Sequence, residues 1–114
     1  MIVILKPGQK LAQEDFEKAR QDYETYIKIT IDIERKVVAL GGEYHSDAEK
    51  LLLENGSKQD DIWGGGFDLD DKKFVVNAII NLRSGRNDSA DILDPKIRER
   101  FLVLAKEVLK DYVQ

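Results

Sequence analysis

The chain has 114 residues, among them 18 Lys and Arg, 22 Asp and Glu, one His, two Pro and no Cys. That length suits a single domain spanning residues 1–114, and 42% hydrophobic with 35% charged residues is the make-up of a soluble globular protein. The counts exclude a disulfide, thiolate chemistry and a zinc site built from several imidazoles. A net charge of −4, with 8 basic against 11 acidic residues in 1–57 and 10 against 11 in 58–114, argues against non-specific nucleic-acid binding.

In chain order, Ile2-Val3-Ile4-Leu5 reads as a short strand stopped by Lys6-Pro7-Gly8. This apolar run is too short for a signal peptide or a membrane span, so the expected setting is cytoplasmic, with no membrane contact. From Leu11 to Tyr23, Ala12, Phe16, Ala19 and Tyr23 recur at helical spacing. The period then becomes two: Ile27, Ile29, Ile31 and Ile33 alternate with Lys28, Thr30 and Asp32, the pattern of a half-buried strand. Val37 to Leu40 follows so closely that an antiparallel hairpin is expected, ended by Gly41-Gly42. Ser46 with Glu49 fits a capping box for a helix through Leu51, Leu52 and Leu53, with Asn55-Gly56 as its left-handed stop. Ser57 with Asp60 suits one further turn before Ile62-Trp63. Three glycines lead to Phe67, Asp68 to Lys73 forms a polar turn, and alternation from Phe74 to Arg83 predicts a long strand. Asp94-Pro95 is an N-cap with proline at the first helical position, opening a helix with Ile97, Phe101, Leu104, Val108 and Tyr112 on one stripe.

The order β-α-β-β-α-β-β-α, with mostly hairpin connections, predicts an α+β fold. Its expected form is a two-layer sandwich, a mostly antiparallel sheet of about five strands with three helices laid on one face.

The stretch Gly41-Gly42-Glu43-Tyr44-His45-Ser46-Asp47-Ala48-Glu49, continued by Gly56-Ser57-Lys58-Gln59-Asp60-Asp61-Ile62-Trp63-Gly64, is distinctive. Later come Asn81-Leu82-Arg83, Gly85-Arg86-Asn87 and Asp94-Pro95-Lys96-Ile97-Arg98. Together, from about Ile29 to Arg98, these segments resemble a family of small prokaryotic proteins grouped as a domain of unknown function. The resemblance implies no activity.

Two polar constellations carry the functional expectations. Glu43, His45 and Asp47 alternate, so in extended chain they converge, and carboxylates beside an imidazole suit general acid–base work with His45 as base. The structural alternative places Asp47 in a helix first turn, where its charge suits the dipole. Asn81 and Arg83 share one strand face and are followed by Arg86 and Asn87, groups that recognise phosphate or carboxylate at two points. Their alternative is a charged strand end of little net energy. Ser57, Lys58 and Gln59 lie on the intervening turn, and Trp63 beside three glycines is either a stacking platform or core.

The acidic run at Asp68 fails as a calcium loop at its fifth, sixth and twelfth positions, so no metal site is predicted there. No cofactor is assigned; magnesium on Glu43, Asp47 or Asp32 would belong to a nucleotide-processing alternative. The principal expectation is a binding or accessory module with a polar pocket for a phosphate- or carboxylate-bearing ligand. The alternatives are a hydrolase-like enzyme with Arg83 as anion clamp, and a structural module that forms a homodimer.

Overall fold

Two hairpins with the same turn chemistry organise the sheet. A computed structural model describes residues 1–113. It contains strands β1 (Val3–Leu5), β2 (Tyr26–Asp32), β3 (Val37–Leu40), β4 (Ile62–Asp68) and β5 (Lys73–Val75), and helices α1 (Gln13–Ala19), α2 (His45–Glu54) and α3 (Pro95–Leu109). Between β2 and β3, Asp32 Oδ1 accepts from the N–H groups of Glu34 and Arg35, both at 3.0 Å. Between β4 and β5, Asp68 Oδ1 accepts from Asp70 at 3.0 Å and Asp71 at 2.9 Å. Each turn then places a lysine in the left-handed region, Lys36 at φ 57° and Lys72 at φ 53°. An aspartate that satisfies the backbone ahead of it holds the turn, and the lysine absorbs the reversal.

The five strands lie in the order β1-β3-β2-β4-β5, all antiparallel, with Ile29 opposite Leu40 on one side and Gly65 on the other. The α+β class, the antiparallel five-strand sheet and the three helices agree with the sequence reading. The helices, however, occupy both faces rather than one. Ile27, Ile29 and Ile31 pack with Phe16 of α1 and with Phe101, Ala105 and Leu109 of α3. On the other face Val37, Ala39 and Ile62 pack with Ala48 and Leu52 of α2. The alternation in β2 predicts a wet side, yet Thr30 and Asp32 are 1% and 0% exposed, because α2 covers that face. All four residues of β3 are buried, which is what a strand covered on both faces requires.

Three local expectations change. The first helix is shorter than the Leu11–Tyr23 pattern, ending at Ala19. The Ser46/Glu49 capping box does not form: Tyr44 is the N-cap, His45 already starts the helix, and no side chain caps it. The long strand over Phe74–Arg83 stops at Val75. Beyond it the chain leaves β4 and pairs instead with a later segment, the Ile92 N–H donating to Val76 O at 3.1 Å and the Ala78 N–H to Ala90 O at 3.0 Å. A short 3-10 turn, Ile79–Asn81, follows. The Asn55-Gly56 stop is as expected. Gly56 has φ 99°, and the N–H groups of Gly56 and Ser57 return to the carbonyls of Leu53 and Leu52, a Schellman motif. Asp94 caps α3 through Lys96 N–H at 2.8 Å, with Pro95 opening the helix. Among the described residues, no helix is long and apolar enough to cross a membrane.

Candidate functional site

The approach to α2 is set by Gly41 and Gly42, at φ 88° and 97°. A Cβ on Gly41 would strike the carbonyl oxygens of Met1 and Ala19, so only glycine turns the chain from β3 into α2 here. The turn delivers His45 to the first position of the helix, against β4. His45 is 9% exposed, and its Nε2 lies 2.7 Å from Gly65 O. A carbonyl only accepts, so this contact assigns the proton to Nε2 and leaves Nδ1 as the basic nitrogen. Burial holds the imidazole below its ordinary pKa; the Gly65 hydrogen bond opposes that, and the positive charge of Lys28 adds to it. At neutral pH the ring is uncharged.

Lys28 and two tyrosines complete this corner, and none of the three stood out in the sequence. Lys28 is half-buried, on the α2 side of β2 and opposite Gly66. Its Nζ sits 5.2 Å from the ring centroid of Tyr23 and 6.0 Å from that of Tyr26, within cation–π range. No ion pair among the described residues includes Lys28. Tyr23 is fixed by donating to Glu43 O at 2.7 Å. Tyr26 lies across Gly66, where a Cβ would collide with its hydroxyl and ring. The available signal was Tyr26 two residues before Lys28 on one strand face. Strand alternation alone does not show that such a pair meets a helix end.

The side chains of Glu43 and Asp47 are exposed, and Gly65, not either carboxylate, is the hydrogen-bond partner of His45. Asp47 sits in the first turn, its N–H donating to Tyr44 O at 3.1 Å. Among the described residues, no three His, Cys, Asp or Glu side chains come together to hold a metal ion. Asp32 lies at the other end of β2, its Oδ1 committed to the hairpin turn.

The second predicted constellation assembles around the start of β4. Asn81 is fully buried: Oδ1 accepts from Gly64 N–H at 2.8 Å, while Nδ2 donates to Gly64 O and Ala90 O, both at 2.9 Å. Asn87, 3% exposed, donates to the carbonyls of Asn81, Ser89 and Asp91 and accepts from Leu93 N–H. Arg83 donates to Ile62 O and Asp60 O, its guanidinium 4.4 Å from the ring centroid of Trp63. Arg86 donates to Asp60 O at 3.1 Å and pairs with the Asp60 carboxylate at 3.3 Å. Trp63 is 1% exposed and belongs to the core. Ser57 is buried beside Arg35 at the end of α2, whereas Lys58 and Gln59 are exposed. These side chains thus act mainly on the backbone: Asn81 and Arg83 fasten the loop to β4, Arg86 ties it to Asp60, and Asn87 braces the loop internally.

Gly64 joins the two groups. A Cβ there would lie 3.0 Å from the His45 ring and 2.7 Å from Ala78, while its backbone is bound by Asn81. Glu49, one turn beyond His45, is half-buried; burial raises its carboxyl pKa and the charge of Arg83 opposes the rise. A family model for a protein of unknown function, DUF5674, matches residues 3–108. No curated protein and no solved structure matches the chain.

Proposed function

The chain belongs to the DUF5674 family, and we propose that it is a small binding module for a ligand bearing a phosphate or carboxylate group, held at the start of α2. The observation that carries this reading is Lys28, a half-buried residue whose Nζ lies within cation–π range of two tyrosine rings and outside any ion pair of the described residues. The rings attract the cation but supply no counter-charge, and an anion beside it forms a charge-assisted hydrogen bond. Two further features support it. No side chain caps α2, and the positive end of its dipole begins at His45 itself. His45 Nδ1 is the lone-pair nitrogen of a ring that gains a proton more readily once an anion lies beside it.

The single histidine makes the test direct, because one imidazole Cε1–H signal reports the site by proton NMR. Titration from about pH 5 to 8 with inorganic phosphate, and separately with citrate, should move the His45 pKa upward. The shift should vanish in Lys28→Met. A His45 pKa unmoved by both anions at millimolar concentration overturns the proposal. Turnover of nitrophenyl phosphate or acetate by the wild type, lost in His45→Ala, would replace it with the hydrolase reading.

A further inference from the structure

We propose that the cleft at the C-terminal end of α3 binds a small amphiphilic anion, an apolar molecule carrying one anionic head group. This inference is independent of the Lys28 corner, and no residue of that corner lines the cleft. The volume is about 440 Å³, within the range of small-ligand sites. The cleft opens where the Lys6–Lys10 turn after β1 and the start of β3 meet the last turns of α3.

Its walls are apolar: Leu5, Leu11, Val38, Leu104, Val108 and Tyr112. Leu5, Leu11 and Val38 are 2–3% exposed, so the floor is continuous with the core. Tyr112 is held rigidly, stacked on Phe16 at 4.6 Å between centroids and donating to Leu11 O at 2.6 Å. Its ring is therefore a fixed wall, and its hydroxyl already has an acceptor.

The rim has the opposite character. Lys6, Lys10, Lys36 and Lys110 surround the opening, against the two carboxylates Glu107 and Asp111. Lys110 pairs with Glu107 at 2.9 Å and Lys10 with Asp111 at 3.8 Å. Lys6 and Lys36 have no ion-pair partner among the described residues. A chain of net charge −4 thus gathers a local excess of two positive charges around an apolar floor. The backbone of Lys36 is also fixed, since it sits in the hairpin turn at φ 57° behind the Asp32 turn. The ligand that complements both features places its apolar body against Leu104, Val108 and Tyr112 and its head group between Lys6 and Lys36.

Calorimetric titration of the full chain with decanoate, decyl phosphate, decanol and acetate separates the two halves of this proposal. At least one of the two head-bearing decyl compounds should bind about tenfold tighter than either decanol or acetate, and weaken with added salt. The tighter of the two identifies the head group. Lys6→Gln and Lys36→Asn, the latter chosen because asparagine accepts the left-handed backbone, should each weaken it about two- to fivefold. Leu104→Trp, which fills the cleft, should abolish binding. Should Leu104→Trp fail to fold, Lys6→Gln still tests the rim alone, because Lys6 lies on an exposed turn. Decanol binding as tightly as the charged compounds, or binding unaffected by both lysine variants, overturns the proposal. Titrations in a Lys28→Met background read the cleft alone, and Leu104→Trp should keep the phosphate-induced shift of the His45 signal, so failure of one site is distinguishable from failure of the other.

Discussion

His45 joins a protonation state to a packing role in one side chain. Its Nε2 is fixed on Gly65 O, its ring lies against Gly64, and burial with Lys28 nearby favours the neutral form. In the unfolded chain the same imidazole titrates near its ordinary value. Below that value the unfolded state takes up a proton that the folded state resists, so acidification shifts the balance toward unfolding. Stability should therefore fall as pH drops from about 7.5 through 6.5 toward the folded pKa, and level off beneath it. Urea midpoints measured across that window check this, and the His45→Gln variant should lose that part of the slope. Removing the charge in Lys28→Met should raise the His45 pKa, read from the same proton signal. Asp68 illustrates the contrasting case, a residue at the head of a turn that the local sequence already marks.

At the scale of elements, the segment from Val76 to Leu93 departs most from its own pattern. As far as Arg83 its alternation is that of a strand, yet after Val75 it closes into a loop braced by Asn81 and Asn87. Leaving the sheet exposes Ile79 and Leu82, at 79% and 56%, while Ile80 packs beneath α2. A loop normally carries weak internal order; here two buried amides replace the missing ladder. Asn87→Ala would remove an amide whose two protons are shared among three carbonyls and whose oxygen accepts one N–H, in a largely part-buried setting, for a loss of roughly 2–3 kcal/mol. Denaturant unfolding measures that loss. Hydrogen exchange should speed up at Leu93, whose N–H donates to Asn87 Oδ1, ahead of the β2 amides. Equal protection of Leu93 in both proteins would show that the backbone, not Asn87, holds the loop.

Across the whole molecule, the glycine strand is where the layers meet. Alternation along β4 points Gly64 toward α2 and Gly65 toward α3. A Cβ on Gly65 would meet the Val75 carbonyl and, at 2.9 Å, the Phe101 ring. The carbonyl belongs to the adjoining strand and cannot rotate aside, and Phe101 is fully buried. Gly65→Ala should thus destabilise the protein by about 2–3 kcal/mol, as overpacking of a close-packed core does. A urea midpoint unchanged from wild type would show that β5 and α3 can separate from β4 without loss. The same compactness locates the two proposed sites: one where the start of α2 crosses β2, the other where α3 ends over β1 and β3.

Much of this architecture follows from short-range chemistry. The β2–β3 hairpin, the Asp68 turn, the Asn55-Gly56 stop and the Asp94-Pro95 start rest on contacts within a few residues, so local residue types suffice to read them. His45 and Arg83 were also visible as unusual polar residues, although not what they touch. The tertiary structure decided the rest, because the deciding partners are far apart in the chain. Thr30 and Asp32 look wet until α2 folds across them. Phe74 to Arg83 looks like a strand until Ala90 and Ile92 compete for its backbone. Lys28 is an ordinary surface lysine until Tyr23, Tyr26 and His45 surround it. The cleft beneath the end of α3 joins residues 5–11, 36–38 and 104–112. Alternation records which side of a strand is apolar; only packing determines which element covers that side, and which charges are left facing one another.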